Sequence, residues 1–199
     1  MAAAASFPVV KQAPEQRMLL SSVSYAEYVR MREALEGPSP RMTFLRGALE
    51  LMSPSPEHEL WKTNIARFVE HFAFVRNIPL HGYGSTTFKK EALDRGAEPD
   101  ECYLVGKTLA EFPEIVVEVI FSSPLLNKLE VYRPMGVREV WVFEQGRFVI
   151  FQLGDDGAYA AHTSSALLPT LDFERLATFV TRTDTPVALR EFDAELRAP

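Results

Sequence analysis

Three residues of this chain are of types that do chemistry, at spacings that allow them to meet: Asp100, Glu118 and Lys128. Asp100 follows Pro99, whose ring favours an extended backbone at the residue before it. Glu118 interrupts the apolar run "EIVVEVIF", which is too short for a helix and rich in Val and Ile. Burying a carboxylate in such a run costs several kcal/mol unless something compensates it. If the runs holding Asp100 and Glu118 are neighbouring strands, the two acids converge and repel unless a proton or a cation lies between them. A hard divalent ion, Mg²⁺ or Mn²⁺, is the natural cation for such oxygen ligands. Lys128 lies ten residues beyond Glu118, where a long stem can return an ammonium to the pair. Two acids, a metal and a lysine are the parts of metal-assisted phosphodiester hydrolysis.

Each residue also has a plain reading. Aspartate after proline is common in turns. A lysine on a helix is usually solvated. Glu118 has Val116, Val117, Val119 and Ile120 around it, the pattern of a strand buried on both faces, where a salt bridge to a core arginine is as good an account as a metal. The pattern alone leaves both readings open.

The elements that must position these residues are legible to different degrees. "SYAEYVRMREAL" reads as a helix capped by Ser24, and "RMTFLRGALELMS" as a hairpin turning at Arg46–Gly47. "SPSPEHELWKTNIARFVEHFAFVRN" is the clearest helix, with Ser55 as cap and Pro56 at its first position. Its stripe of Leu60, Trp61, Ile65, Phe68, Val69 and Phe72 is read as core, and His58 falls in its first turn. Short strands follow at "IPLHGYG", "STTFKK", "EPDECYLV" and "EIVVEVIF". A further helix is expected from Ser123, with Pro124 at its first position and Pro134 and Gly136 closing it. "REVWVFEQGRFVIFQL" reads as a hairpin turning near Gln145–Gly146, its aromatics more often core than interface. "AYAAHTSS" reads as an edge strand, and "LDFERLATFV" and "PVALREFDAEL" as helices. The order is a mixed α/β (α+β) layout: one central mixed β-sheet flanked by helices.

With 199 residues, residues 1–20 are expected to be a flexible lead-in and 21–199 a single domain. The net charge of −6 argues against a broad nucleic-acid-coating surface without excluding a local basic cleft. Four scattered histidines and one cysteine give no zinc-site spacing. The lone Cys102 fits a reducing cytoplasm, and neither a signal peptide nor a membrane span is read.

"GALELMSPSPEHE", "GSTTFKKEALDRGAEPDECYLV" and "SSPLLNKLEVYRPMGVREVWVF" resemble, in order, the motifs of a large bacterial family of restriction-endonuclease-like proteins, a domain of unknown function in the PD-(D/E)XK nuclease superfamily. The resemblance runs from about Tyr25 to Val180. It implies a restriction-endonuclease-like core with metal carboxylates on adjacent strands, and a Mg²⁺-dependent deoxyribonuclease acting on DNA. Asp100 then resembles the aspartate of the "PD" pair, and Glu118 the acid of the second motif strand; these two are the implied metal ligands. Lys128 resembles the catalytic lysine displaced onto the next helix, and His58 the accessory histidine of "PSPEH". The chain departs from the pattern at Ile120, where a lysine or a further acid stands in relatives, and at Asn127, where an aspartate is common. These departures motivate the alternative, a degenerate nuclease fold acting as a DNA-binding or protein-interaction module. A homodimer would supply the two sites that double-strand cutting needs.

Overall fold

The computed structural model describes residues 15–35, 40–122, 124 and 126–198. Its strands are β1 (Gln16–Leu20), β2 (Arg41–Leu45), β3 (Ala48–Ser53), β4 (Leu80–Gly82), β5 (Phe88–Lys90), β6 (Arg95–Ala97), β7 (Glu101–Val105), β8 (Ile115–Ile120), β9 (Glu139–Glu144), β10 (Arg147–Leu153) and β11 (Tyr159–His162). Its helices are α1 (Tyr25–Ala34), α2 (Pro56–Val75), α3 (Lys128–Tyr132), α4 (Phe173–Val180) and α5 (Thr185–Arg197). The strands form two sheets, β1-β3-β2-β6-β5 and β11-β10-β9-β8-β7-β4. The second is mixed: β8 and β9 run parallel, joined by a crossover through α3, and its other neighbours are antiparallel.

Local chemistry accounts for the ends of these elements. Ser24 and Glu27 form a reciprocal capping box on α1. The Ser55 side chain accepts from the His58 N–H at the start of α2, with Pro56 beside it. Both predicted hairpin turns carry two positive φ angles, at Arg46–Gly47 and Gln145–Gly146, the geometry that matches strand twist.

The alternation along β8 divides the core. Ile115, Val117 and Val119 face α2, α4 and α5 in the larger apolar cluster, with Ile65, Phe68, Val69 and Phe72 from the α2 stripe. Val116 faces the other way, with Cys102, Val131, Tyr132 and Val140. Glu118 has the parity of Val116 and joins that second face. Trp141 and Phe143 are fully buried, so those aromatics of the hairpin are core. A third cluster, with Tyr28 stacked on Phe44 at 5.1 Å, fills the first sheet. A Cβ added at Gly96 would collide with the Tyr28 ring. Gly96→Ala is therefore expected to cost about 1–3 kcal/mol by overpacking, read as a lower urea midpoint.

Three expectations change. Residues 16–20, read as lead-in, form β1 along β3; with Met18 and Leu19 exposed, the strand has no alternation to betray it. Residues 1–14 lie outside the described residues. The helix expected from Ser123 begins at Lys128, where the Asn127 side chain accepts from the Leu129 N–H, and Ser123 itself lies outside the described residues. "EPDECYLV" is not all strand: β7 begins at Glu101, and residues 98–100 carry the chain from β6 in one sheet to β7 in the other. Asp100 thus sits where the two sheets meet.

Candidate active site

Antiparallel pairing of β7 with β8 sets Glu101 opposite Val117 and Cys102 opposite Val116. One step further along that register, Asp100 lies opposite Glu118, on the same face. The Asp100 N–H donates to the Val117 carbonyl at 3.1 Å, and the Val119 N–H donates to Asp100 Oδ2 at 2.7 Å. Both acids are buried, at 1 % and 2 % exposure.

Each acid has its own cation. Lys128 Nζ donates to Glu118 Oε2 at 2.5 Å, and the Tyr132 hydroxyl donates to Oε1 at 2.5 Å. Lys128 and Tyr132 are four apart on α3, so one helical turn presents both to one carboxylate. Arg41, at the start of β2, brings Nη1 to 2.6 Å from Asp100 Oδ1, while Nη2 donates to Glu59 at 2.9 Å. The salt bridge to a core arginine that was open for Glu118 thus exists, but on Asp100. His58 is fully buried, with Nε2 3.1 Å from the Val119 carbonyl oxygen and 3.3 Å from Asp100 Oδ2. The structure therefore brings all four sequence-predicted residues to one point.

These surroundings split the two acids. Burial pushes Asp100 up, but the His58 hydrogen bond and the charges of His58, Arg41 and Lys128 outweigh it and hold Asp100 well below the usual carboxylate range. Burial raises Glu118, and the neighbouring Asp100 charge adds to the rise against Lys128 and Tyr132. Glu101, one residue on, is pushed up to about 7, chiefly by burial. A carboxyl with a folded pKa above its unfolded value of about 4.3 stabilises in its neutral form: that contribution is full below the unfolded pKa and lost as pH rises through 7. Glu101→Gln keeps the neutral form at every pH. Its melting temperature should match the wild type near pH 4.5 and exceed it by several degrees at pH 8.5, for about 1–2 kcal/mol after allowing for solvent screening. A difference independent of pH would remove Glu101 as the cause.

Carboxylate oxygens are the ligand type a hard cation takes, and here Lys128 and Tyr132 hold those of Glu118 while Arg41 and the Val119 N–H hold those of Asp100, so a metal would have to displace or share these partners. Asp100 and Glu118 offer only oxygens, and Asp100 Oδ1, though paired with Arg41, accepts no hydrogen bond. Mg²⁺ is commonly held by one or two carboxylates while it keeps several waters. Among the described residues no group of three or more His, Cys, Asp and Glu side chains is arranged to hold a metal.

Sequence reasoning missed Arg41, Tyr132 and a nearby pair, Glu15 just before β1 and Arg17 within it. The Lys128–Tyr132 spacing was a readable helical signal. Nothing local marks Arg41, because its place beside Asp100 depends on how the first sheet packs against the second.

Comparison with known proteins agrees with this architecture. A crystal structure described as "a putative nuclease belonging to DUF820", from Anabaena variabilis, superposes with a TM-score of 0.53 at 10% identity, covering 79% of this chain and 99% of that one. That likeness establishes the class of fold, a mixed α/β core shared with that structure. The family described as "Uma2: Putative restriction endonuclease" matches residues 25–182, and the chain belongs to that family. No curated protein matches the chain. No helix among the described residues is long and apolar enough to cross a membrane.

Proposed function

We propose that this protein is a Mg²⁺-dependent endodeoxyribonuclease whose active site is built from Asp100, Glu118, Lys128 and His58. The observation that carries the reading is the register of β7 and β8, which sets two buried carboxylates side by side with the Lys128 ammonium at 2.5 Å from one of them. Asp100 and Glu118 would hold the cation, which when bound lowers the pKa of a water and stabilises charge on a phosphoryl oxygen. Lys128 is placed to orient a water or to stabilise the charge that develops on the phosphate. Tyr132 fixes the Glu118 carboxylate, and Arg41 fixes Asp100. His58 bridges Asp100 to the backbone of β8 and so holds the two strand ends together. The lysine position left open by Ile120 on the strand is met from α3.

The acidic balance of the chain favours weak, salt-sensitive non-specific DNA binding. Cutting both strands of a duplex calls for two sites, and a homodimer in the cytoplasm is the assembly and setting that this reading implies. The test is plasmid nicking by purified protein with Mg²⁺ or Mn²⁺, with calorimetric titration of the metal alone. Nicking that stops with EDTA and with Asp100→Ala, together with millimolar or tighter metal binding lost in the same variant, supports the proposal. Nicking that survives Asp100→Ala would sink it. Absence of both metal binding and nicking would favour the second reading, a non-catalytic binding module, for which Ile120 and Asn127 are the motivating residues.

A further inference from the structure

The N-terminal edge of the chain enters this site from outside the residues that define the family. Glu15 and Arg17 precede the family match, which starts at residue 25, yet their side chains are almost wholly buried, at 3% and 6% exposure. Glu15 Oε1 accepts from the Ser122 hydroxyl at 2.5 Å, from the Ser122 N–H at 3.3 Å and from Arg17 Nε at 3.0 Å. Glu15 Oε2 is buried without a hydrogen-bond partner and lies 3.8 Å from His58 Nε2. Arg17 also donates to the Ser122 hydroxyl at 3.0 Å and to Glu50 at 2.5 Å.

Four groups thus surround one carboxylate: a backbone N–H, a hydroxyl, a guanidinium and an imidazole. Ser122 stands two residues beyond β8, the strand that carries Glu118, and His58 also touches Asp100. The N–H, the hydroxyl and the guanidinium donate to Oε1, while the imidazole stands 3.8 Å from Oε2 with its Nε2 closer to the Val119 carbonyl; such donors recognise an anionic oxygen by charge-assisted hydrogen bonds, whether a carboxylate or a phosphate supplies it. The segment that brings the carboxylate is an edge strand, paired on one side only, with β3.

We infer that Ser122, His58 and Arg17 form the phosphate subsite of this active site, and that Glu15 occupies it in cis as an internal stand-in for a substrate phosphodiester oxygen. The inference rests on the nuclease reading for the identity of the substrate, but the subsite can be tested without catalysis. Removal of the Glu15 carboxylate empties the cradle and removes a competing negative charge; Ser122 supplies two of its donors.

The experiment is calorimetric titration of the full chain with inorganic phosphate in EDTA, comparing wild type, Glu15→Ala, Glu15→Gln and the double variant Glu15→Ala/Ser122→Ala, each checked by thermal melting. Glu15→Ala is expected to bind phosphate at least about tenfold more tightly than wild type, and the double variant to lose part of that gain, because Ser122→Ala removes the hydroxyl and leaves the backbone N–H. Should Glu15→Ala fail to fold, the isosteric Glu15→Gln is expected to show a gain of about threefold. Equal phosphate affinity in wild type and in the folded Glu15 variants overturns the subsite. Plasmid nicking assayed in parallel separates the two ideas. A phosphate gain without metal-dependent nicking keeps the cradle and removes the nuclease; nicking without a phosphate gain does the reverse.

Discussion

Glu118→Gln is expected to lower Mg²⁺-dependent nicking by roughly 10³-fold while leaving the protein folded. The substitution keeps the size of the side chain and one acceptor oxygen. It takes away the charge that Lys128 answers and the second anionic ligand that a cation would need. Burial with Lys128 at 2.5 Å and Tyr132 at 2.5 Å fixes where that charge stands. Burial already pushes Glu118 up, which offsets part of the cost of leaving Lys128 without its counter-ion, and the larger loss should fall on activity and metal affinity. Lys128→Met tests the same contact from the other side. It should leave metal binding in place, because both carboxylates remain, and slow turnover by about 10²-fold if the ammonium acts on the reacting phosphate. Metal titration and single-turnover nicking of the two variants separate these effects. Wild-type rates in Glu118→Gln would remove Glu118 from the chemistry.

Arg41→Met should be the most destabilising single change at the site, by about 3–5 kcal/mol. Arg41 is buried at 5% exposure, and it pairs with an acid exposed to only 1%. Without it, Asp100 keeps its burial cost but loses the ion pair at 2.6 Å, and the Pro99 carbonyl loses its 3.2 Å donor. The same truncation at Arg197, whose pair with Asp193 is on the surface, should change stability by no more than about 0.5 kcal/mol. Urea unfolding of the two variants gives the comparison. A double variant Arg41→Met/Asp100→Asn should recover part of the loss, because the stranded charge goes with its partner. A cost below about 1 kcal/mol for Arg41→Met would mean that water reaches Asp100 in the folded protein.

These expectations mark how much of the site could be read from residue order. The pairing of Asp100 with Glu118 was legible, because two short β-rich runs a few residues apart fold back on each other with few alternatives, and parity then decides which side chains share a face. Lys128 was legible because one helical turn carries it back to the end of the preceding strand, although the helix itself starts later than its Ser-Pro signal indicated. His58 was placed by its helix start, where Ser55 and Pro56 leave little freedom.

By itself, then, the sequence determined the local frames: the caps of α1 and α2, the two hairpin turns, the buried strand with an acid in it, and the order of the family motifs. Those depend on interactions within a few residues or between adjacent strands, where periodicity and turn chemistry act directly. Only the tertiary structure decided what surrounds the acids. Arg41 meets Asp100 because β2 pairs with β6, whose chain crosses into the second sheet through Pro99 and Asp100. Glu15 reaches His58 because an edge strand without apolar alternation finds β3 across roughly thirty positions of chain. Such contacts are fixed by how two sheets pack, not by any local preference, and the same packing places a carboxylate from the start of the chain in the cradle beside Asp100.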